Sequence, residues 1–277
     1  MFQFDGKEFE KLALHGGGSP MIGQYLSFFE DAGLFADFKS FNVPIITSSA
    51  ASLTFMVLLA ASLYPEDCAS PKKIISELFT WFHLQLENVI ESSDQTSIMS
   101  IACIENILRE HLPVALFTLT FADLTVINPK LEWTVNCSVF ETCFVSRTLG
   151  THTPDVLVWQ ACIASASVPV VFSGLEIHGE LLFDGDFSNW TFECSTAEVL
   201  HVAPCNGGAA KIFDLRSEIT LLDEAVKFIG QCFTHIVAKP KIKSLYEVPF
   251  AATLTANPLA EEFLAAGKKM AEMFILK

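Results

Sequence analysis

The 277-residue sequence predicts a layered α/β fold, with a central, mostly parallel β-sheet flanked by helices, folded as one domain over residues 1–277. Three observations predict it. Short apolar runs alternate with longer segments of helical periodicity along the whole chain. Hydrophobic residues make up 51% of the sequence and the mean hydropathy is +0.41, so the core must be large, with several elements buried on every side. No internal repeat, low-complexity stretch or Gly/Ser/Pro-rich linker divides the chain.

Lys11 to Leu14 reads as a short apolar strand leading into Gly16-Gly17-Gly18, and Pro20 to Ala32 as a helix closed by Gly33. Val43 to Ile46 reads as a strand and Ala50 to Leu63 as a helix closed by Pro65. Pro71 to Ile90 has Ile75, Leu78, Phe79, Phe82 and Leu86 near helical spacing and predicts a long amphipathic helix. Met99 to Leu112 is a second helix, stopped by Pro113. Residues 65–114, largely helical and outside every motif below, form a candidate cap over a cleft. Phe117 to Thr120 and Glu132 to Val139 alternate like strands, and Thr142 to Val145 offers a third. Pro154 to Ala166 reads as a helix, Glu180 to Phe183 and Val199 to Ala203 as strands, and Leu215 to Ile236 and Leu259 to Leu276 as helices.

Charge and cysteine usage narrow the function classes. The net charge of −15 repels polyphosphate, which excludes nucleic acid as a partner, and repels anionic bilayers at long range. Peripheral membrane contact therefore needs a local apolar or basic patch. Lys239, Lys241 and Lys243 are the one basic cluster, read as a solvated turn in preference to a headgroup contact. The 8 cysteines are scattered, without a CxxC pair or a Cys/His spacing that suits zinc, so they read as free thiols in a reducing, intracellular compartment and no metal is expected. Met1 to Glu10 is polar and lacks a signal peptide's pattern. Val43 to Tyr64 carries no charge and has the length of a membrane span, but Pro44 and the Thr47-Ser48-Ser49 cluster fit a buried strand, a tight turn and a buried helix better.

Three segments can carry chemistry. Gly16-Gly17-Gly18 follows a strand and precedes a helix. Its backbone N–H groups could hold a developing oxyanion or a phosphate, and a simple turn accounts for the same residues. Ile45-Ile46-Thr47-Ser48-Ser49-Ala50-Ala51 puts a serine where a strand meets a helix, as in a nucleophile elbow, with Thr47 and Ala51 at the positions that are glycine in GxSxG. A helix start capped by serines is the alternative there. Phe183-Asp184-Gly185-Asp186 places an aspartate at a strand end, where an ordinary Asp-Gly turn would also serve.

Taken together and in this order, with Ala-Ser-Ala-Ser-Val-Pro-Val-Val-Phe just upstream of the Asp-Gly, these segments resemble the patatin-like phospholipase family. Trp159 to Asp186 is the most specific stretch, and the resemblance runs from about Lys11 to Met270. It implies a serine acyl-hydrolase with Ser49 as nucleophile, Asp184 as the base of a Ser–Asp dyad, and Gly16, Gly17 and Gly18 as the oxyanion loop. It implies no catalytic histidine, no metal and no cofactor, and a lipid or phospholipid ester as substrate. The Phe content of 25 residues suits an acyl cleft, although most of these rings must fill the core. A protein activator is compatible with the family, but no feature of the sequence identifies one.

The chain also departs from the family pattern. Thr47 and Ala51 replace the elbow glycines, and Ser19-Pro20-Met21 stands where Arg or Lys and then Gly are expected. Asp186 replaces a small residue and opposes ionisation of Asp184 by like-charge repulsion. These departures motivate a second reading, a patatin-fold pseudoenzyme that binds lipid or a protein partner. A third is an α/β-hydrolase-type esterase, in which His15-Gly16-Gly17-Gly18 is the oxyanion motif and His201 or His235 completes a Ser–Asp–His order.

Overall fold

The computed structural model describes residues 1–90, 101–141, 143–169, 171–188, 198–204, 244–250 and 256–277. In chain order the elements are β1 (Phe2–Phe4), β2 (Lys7–Phe9), β3 (Lys11–Leu14), α1 (Ser19–Asp31), β4 (Ile45–Ser48), α2 (Ala50–Leu63), α3 (Pro71–Ile90), α4 (Ile101–His111), α5 (Phe121–Ile127), β5 (Trp133–Phe140), β6 (Phe144–Gly150), α6 (Val158–Ser165), β7 (Leu175–Ile177), β8 (Glu180–Asp184), β9 (Val199–Pro204), β10 (Leu245–Val248), α7 (Glu261–Glu272) and β11 (Phe274–Leu276).

The main sheet has the order β10-β9-β3-β4-β5-β8-β7, with β6 also on β5. Pairing is parallel from β10 to β5 and antiparallel beyond it, so the layered α/β fold has a mixed sheet. The inner parallel strands β3, β4 and β9 are buried along nearly their whole length, as expected when helices cover a sheet, whereas the edge strand β10 is buried only at Val248. The helix α2 explains the most hydrophobic segment of the chain. It is only 14 residues long and is buried on most of its circumference, so its apolarity reflects a central position in the core. Among the described residues no helix is long and apolar enough to cross a membrane. Behind α2 an aromatic cluster of Phe29, Phe35, Phe38, Phe41 and Phe55 continues to Trp133 of β5. Much of the phenylalanine content is therefore core.

The helix α1 packs closely on α7. A Cβ at Gly267 would overlap the backbone of Gln24, so the two axes approach more closely than side chains normally allow. This contact holds the middle of α1, at Gln24 to Phe28, in the helix that begins straight after the three glycines.

Several expected elements are corrected. Phe117–Thr120 is not a strand: Val114–Thr118 forms a 3₁₀ turn, and Thr120 starts α5 through a capping box with Asp123. The C-terminal helix ends at Glu272, because Phe274–Leu276 pairs with β1. With β2 this makes a second, three-stranded antiparallel sheet at a polar N-terminus for which no element was expected. The helix expected from Pro154 starts at Val158, since the Pro154 and Val156 carbonyls accept from the first turn of α5. The strand expected at Val43–Ile46 runs from Ile45 to Ser48, and the one expected at Thr142–Val145 runs from Phe144 to Gly150. The helix expected at 215–236 and the lysines at 239, 241 and 243 lie outside the described residues.

Candidate active site

Ser49 lies between β4 and α2 with φ +52° and ψ −123°. Among the described residues only two other non-glycine residues have positive φ, Asp5 and His178. Each of those begins a two-residue hairpin loop completed by a positive-φ glycine, the usual place for this conformation. Ser49 has no such excuse: it joins a buried strand to a buried helix. Such a conformation costs of order 1–3 kcal/mol and persists only when its surroundings impose it.

The surroundings that impose it are polar and buried. The Ser49 N–H donates to Ser165 Oγ at 2.9 Å, and the Ser165 hydroxyl donates to the Asn136 carbonyl at 2.5 Å. Ser52 Oγ lies 3.1 Å from Ser165 Oγ and donates to Thr47 Oγ1 at 2.9 Å, which also accepts the Trp133 indole N–H at 3.0 Å. Thr47, which stands at an elbow position that is glycine in GxSxG, is thus a fully buried acceptor in the brace that holds the turn.

Asp184 reaches Ser49 because of strand register. The strand β4 runs parallel to β5 and pairs Ser48 with Asn136; β8 runs antiparallel to β5 and pairs Asp184 with Cys137. Because β6 occupies the other edge of β5 along its length, β4 and β8 share one edge and meet there end to end. Both strands therefore deliver their last residues to the same point. The Asp184 main chain is fixed by N–H donation to Ser167 O at 2.9 Å and by the Ser138 hydroxyl on its carbonyl at 2.7 Å. Asn136 secures the turn beyond it by donating to Gly185 O at 2.8 Å.

The Asp184 carboxyl is fully buried, and its Oδ1 accepts the Asp186 N–H at 2.9 Å. Burial, then the Asp186 charge, push it well above the usual carboxylate range, against the opposing pull of the Ser49 hydroxyl and the Asp186 N–H. Ser49 is thus close enough to favour the ionised form, yet Oδ2 has no partner of ordinary hydrogen-bond geometry. The contact is a loose approach and not a formed hydrogen bond.

The glycine loop closes over this pair. A Cβ at Gly16 would overlap both Asp186 Oδ2 and Ser49 Cβ and lie 2.8 Å from Ser49 Oγ, so only glycine fits between the loop and the nucleophile position. Gly17 and Gly18 have φ of +142° and +73°, and Gly18 is the residue before α1. The Tyr25 hydroxyl donates to His15 O at 2.6 Å and to Val202 O at 3.2 Å, tying the start of the loop to β9.

Ser49 and Gly18 line a cavity whose walls come mainly from α3 and α4, including Leu78, Phe82, Ile104 and Leu108, with Ile163 of α6 and Phe172. The hydroxyls of Ser19 and Ser49 and the Trp81 indole are the polar side-chain groups of its lining; the rest of the described lining is apolar.

The expected residues Ser49, Asp184 and Gly16 to Gly18 thus come together. His201 does not join them: it is buried on β9 with its Nδ1 3.1 Å from His15 Nε2, while Ser49 and Asp186 are the neighbours that act on Asp184. His235 lies outside the described residues. Among the described residues no group of three or more His, Cys, Asp or Glu is placed to hold a metal ion, and Cys68, Cys137, Cys143 and Cys162 are free thiols. Sequence reasoning missed Asn136 and Ser165. Their signal was weak: Asn136 shares β5 with Thr134 and Ser138, and Ser165 shares α6 with Gln160, so neither stands out as the single polar residue of its element.

The sequence model of the family described as patatin-like phospholipase matches residues 12–190, and the chain belongs to that family, a family of lipid acyl hydrolases. No curated protein matches the chain by sequence. Solved structures similar to it include VipD from Legionella pneumophila, with 13% identity and a TM-score of 0.46 over 97% of this chain and 68% of that one. The type III effector protein ExoU aligns with 13% identity and a TM-score of 0.39, over 95% of this chain and 52% of its own. Full-length ExoU in complex with SpcU, from Pseudomonas aeruginosa, gives 14% identity and a TM-score of 0.33, over 83% of this chain and 53% of that one. The chain therefore spans about half the length of ExoU.

Proposed function

We propose that this protein is a serine acyl-hydrolase acting on fatty-acyl esters of lipids, with Ser49 as nucleophile and Asp184 as base. The observation that carries the reading is a serine held at positive φ, its hydroxyl near a buried carboxyl, in the lining of an apolar cavity. Asp184 accepts the Ser49 proton as Ser49 Oγ attacks the ester carbonyl. The N–H groups of Gly17 and Gly18, at the start of α1, stabilise the tetrahedral oxyanion; the Ser49 N–H is already committed to Ser165. As the intermediate collapses, Asp184 returns that proton to the departing alkoxide, which leaves as the alcohol; the regenerated carboxylate then deprotonates the water whose attack on the acyl-enzyme releases the fatty acid and gives the proton back to Ser49 Oγ. A free aspartate, with a pKa of about 3.9, is a weak base at neutral pH. The upward shift at Asp184 brings its basicity closer to the task. The walls from α3 and α4 act as the cap, holding the acyl chain and excluding water.

A second reading, an impaired enzyme that still binds lipid, is favoured by one feature: Asp184 Oδ2 lacks a well-formed bond while Asp186 opposes its ionisation. Reaction with a fluorophosphonate probe, with the adduct located by mass spectrometry, separates the two. Labelling at Ser49 that disappears in Ser49→Ala and falls in Asp184→Asn supports the hydrolase. A folded protein that fails to label supports the binding protein.

A further inference from the structure

Ser49 follows β4 and Asp184 ends β8, and each of these strands pairs with β5. A common register for the two residues must therefore come from β5, and Asn136 is a residue of β5 that reaches both. Its main chain serves Ser49. The Ser165 hydroxyl stands between the Ser49 N–H, which can only donate, and the Asn136 carbonyl, which can only accept, at 2.9 and 2.5 Å. A group that accepts and donates at once is needed there, so the hydroxyl ties the Ser49 backbone to Asn136. The Asn136 side chain serves Asp184. Its Nδ2 donates to Gly185 O at 2.8 Å, and its Oδ1 accepts the Ser146 hydroxyl of β6 at 2.6 Å, which leaves the amide one orientation. The Ser188 N–H and hydroxyl also reach Gly185 O, but they lie on the same turn and cannot tie it to the sheet. Gly185 is pressed against both strands: a Cβ there would overlap the Asn136 carbonyl oxygen and lie 2.6 Å from Asn136 Nδ2 and from Ser48 Oγ. Asn136, Ser165 and Asp184 are all fully buried, so these bonds do not compete with bulk water.

We propose that Asn136 is the positioning residue of the site: through the Ser165 hydroxyl it sets the backbone of Ser49, and through Gly185 it sets the turn that carries Asp184, so that hydroxyl and carboxyl keep a common register. The proposal rests on the reading of Ser49 and Asp184 as nucleophile and base, and Asn136 acts on the reaction only through them. A displacement of about 1 Å between reacting groups costs on the order of 100-fold in rate, so a residue that fixes both partners has a large effect without touching the substrate.

The two branches can be cut one at a time. Ser165→Ala removes the Ser49 branch; Asn136→Ala removes the Asp184 branch and keeps the carbonyl. Each should lower the maximal rate of fluorophosphonate labelling at Ser49 by about 10- to 100-fold, with the half-saturating probe concentration little changed. In an Asp184→Asn background, Asn136→Ala should cost less than about threefold, because the residue through which it acts is already lost. An equal cost in both backgrounds overturns the proposal, since a general loosening of the fold multiplies through each. Amide hydrogen exchange, followed by NMR and referred to the amides of β3, gives a readout that needs no turnover. Asn136→Ala should speed exchange of the Asp186 amide by about tenfold or more and leave Ser49 protected, and Ser165→Ala should do the reverse. Unchanged exchange at Asp186 in Asn136→Ala overturns the proposal. If that variant does not fold, Ser146→Ala, which frees the Asn136 amide, takes its place and should show the same pattern at severalfold size. A wild-type protein whose variants show the exchange pattern, but which never labels, overturns the hydrolase reading and supports Asn136 as the residue that holds the two turns together.

Discussion

In the Ser49 turn, Thr47 stands where the patatin-like pattern has glycine, and its hydroxyl is absorbed by the Trp133 indole and Ser52. In the Asp184 turn, Asp186 stands where the pattern has a small residue, and its carboxylate pushes against the Asp184 carboxyl. Both substitutions bury a polar group within one site, but the outcomes differ because the interactions differ in range. A hydroxyl needs one or two well-placed partners and is then electrically quiet. A carboxylate keeps a charge that every neighbour feels, however well its backbone is held. A departure from a family motif is therefore read by asking whether the new group is neutral and satisfied, and residue similarity is a poor guide to that.

The largest test of this contrast is at the base. Asp184→Asn should reduce ester hydrolysis or fluorophosphonate labelling by a factor on the order of 10³ or more, because the proton acceptor is gone while the fold is kept. Its effect on stability should have the opposite sign. A carboxyl whose folded pKa is raised contributes most to stability below its unfolded value of about 3.9, and that contribution is lost as pH climbs towards the folded value. At neutral pH the asparagine variant should therefore melt no lower than wild type, and higher if Asp184 is ionised there. A lower melting temperature would contradict the charge conflict.

Next in size, Gly16→Ala places a methyl against Asp186 and Ser49 and should cost about 1–3 kcal/mol in denaturant unfolding, along with labelling at Ser49. Gly33→Ala, at positive φ but with open space, should leave labelling unchanged and serves as the control.

Restoring the family residue at Thr47 sharpens the other side of the contrast. Thr47→Gly should destabilise the protein by about 1–3 kcal/mol, because the buried Trp133 N–H and Ser52 hydroxyl lose their acceptor. A variant more stable than wild type would mean that Thr47 is a burden after all.

The smallest expected effect is a displacement along the pH axis. Asp186→Asn removes one of the forces holding the Asp184 pKa up, so the acid limb of the labelling rate against pH should move to lower pH. A limb that stays in place would assign the shift to burial alone.

Much of this architecture was legible in the residues. The helices α2 and α3 begin and end where Pro65, Pro71 and the apolar spacing put them. The serine elbow, the three glycines and the Asp-Gly turn could each be named as a candidate, because glycine, proline and strand-end polar residues report on local backbone needs. The misreadings share a cause. Phe117–Thr120 alternates like a strand, but the Thr120–Asp123 capping box, visible in the letters, was outweighed by the pattern. Phe274–Leu276 continues a helical pattern and becomes a strand only because β1 offers an edge 270 residues away in sequence.

By itself the sequence determined which segments could turn sharply, which must be buried, and which hydroxyl and carboxylate were available for chemistry. Those are properties of single residues and their near neighbours. The tertiary structure alone decided that β4 and β8 meet end to end on β5, so that Ser49 and Asp184 are delivered to one point. It also decided that Thr47 is a satisfied acceptor, that Asp186 lies against Gly16 beside the nucleophile position, and that α3 and α4 wall the cavity. The reason is physical: hydrogen-bond satisfaction and charge repulsion depend on distances of a few ångströms, and these distances are set by strand register and helix packing between residues far apart in the chain.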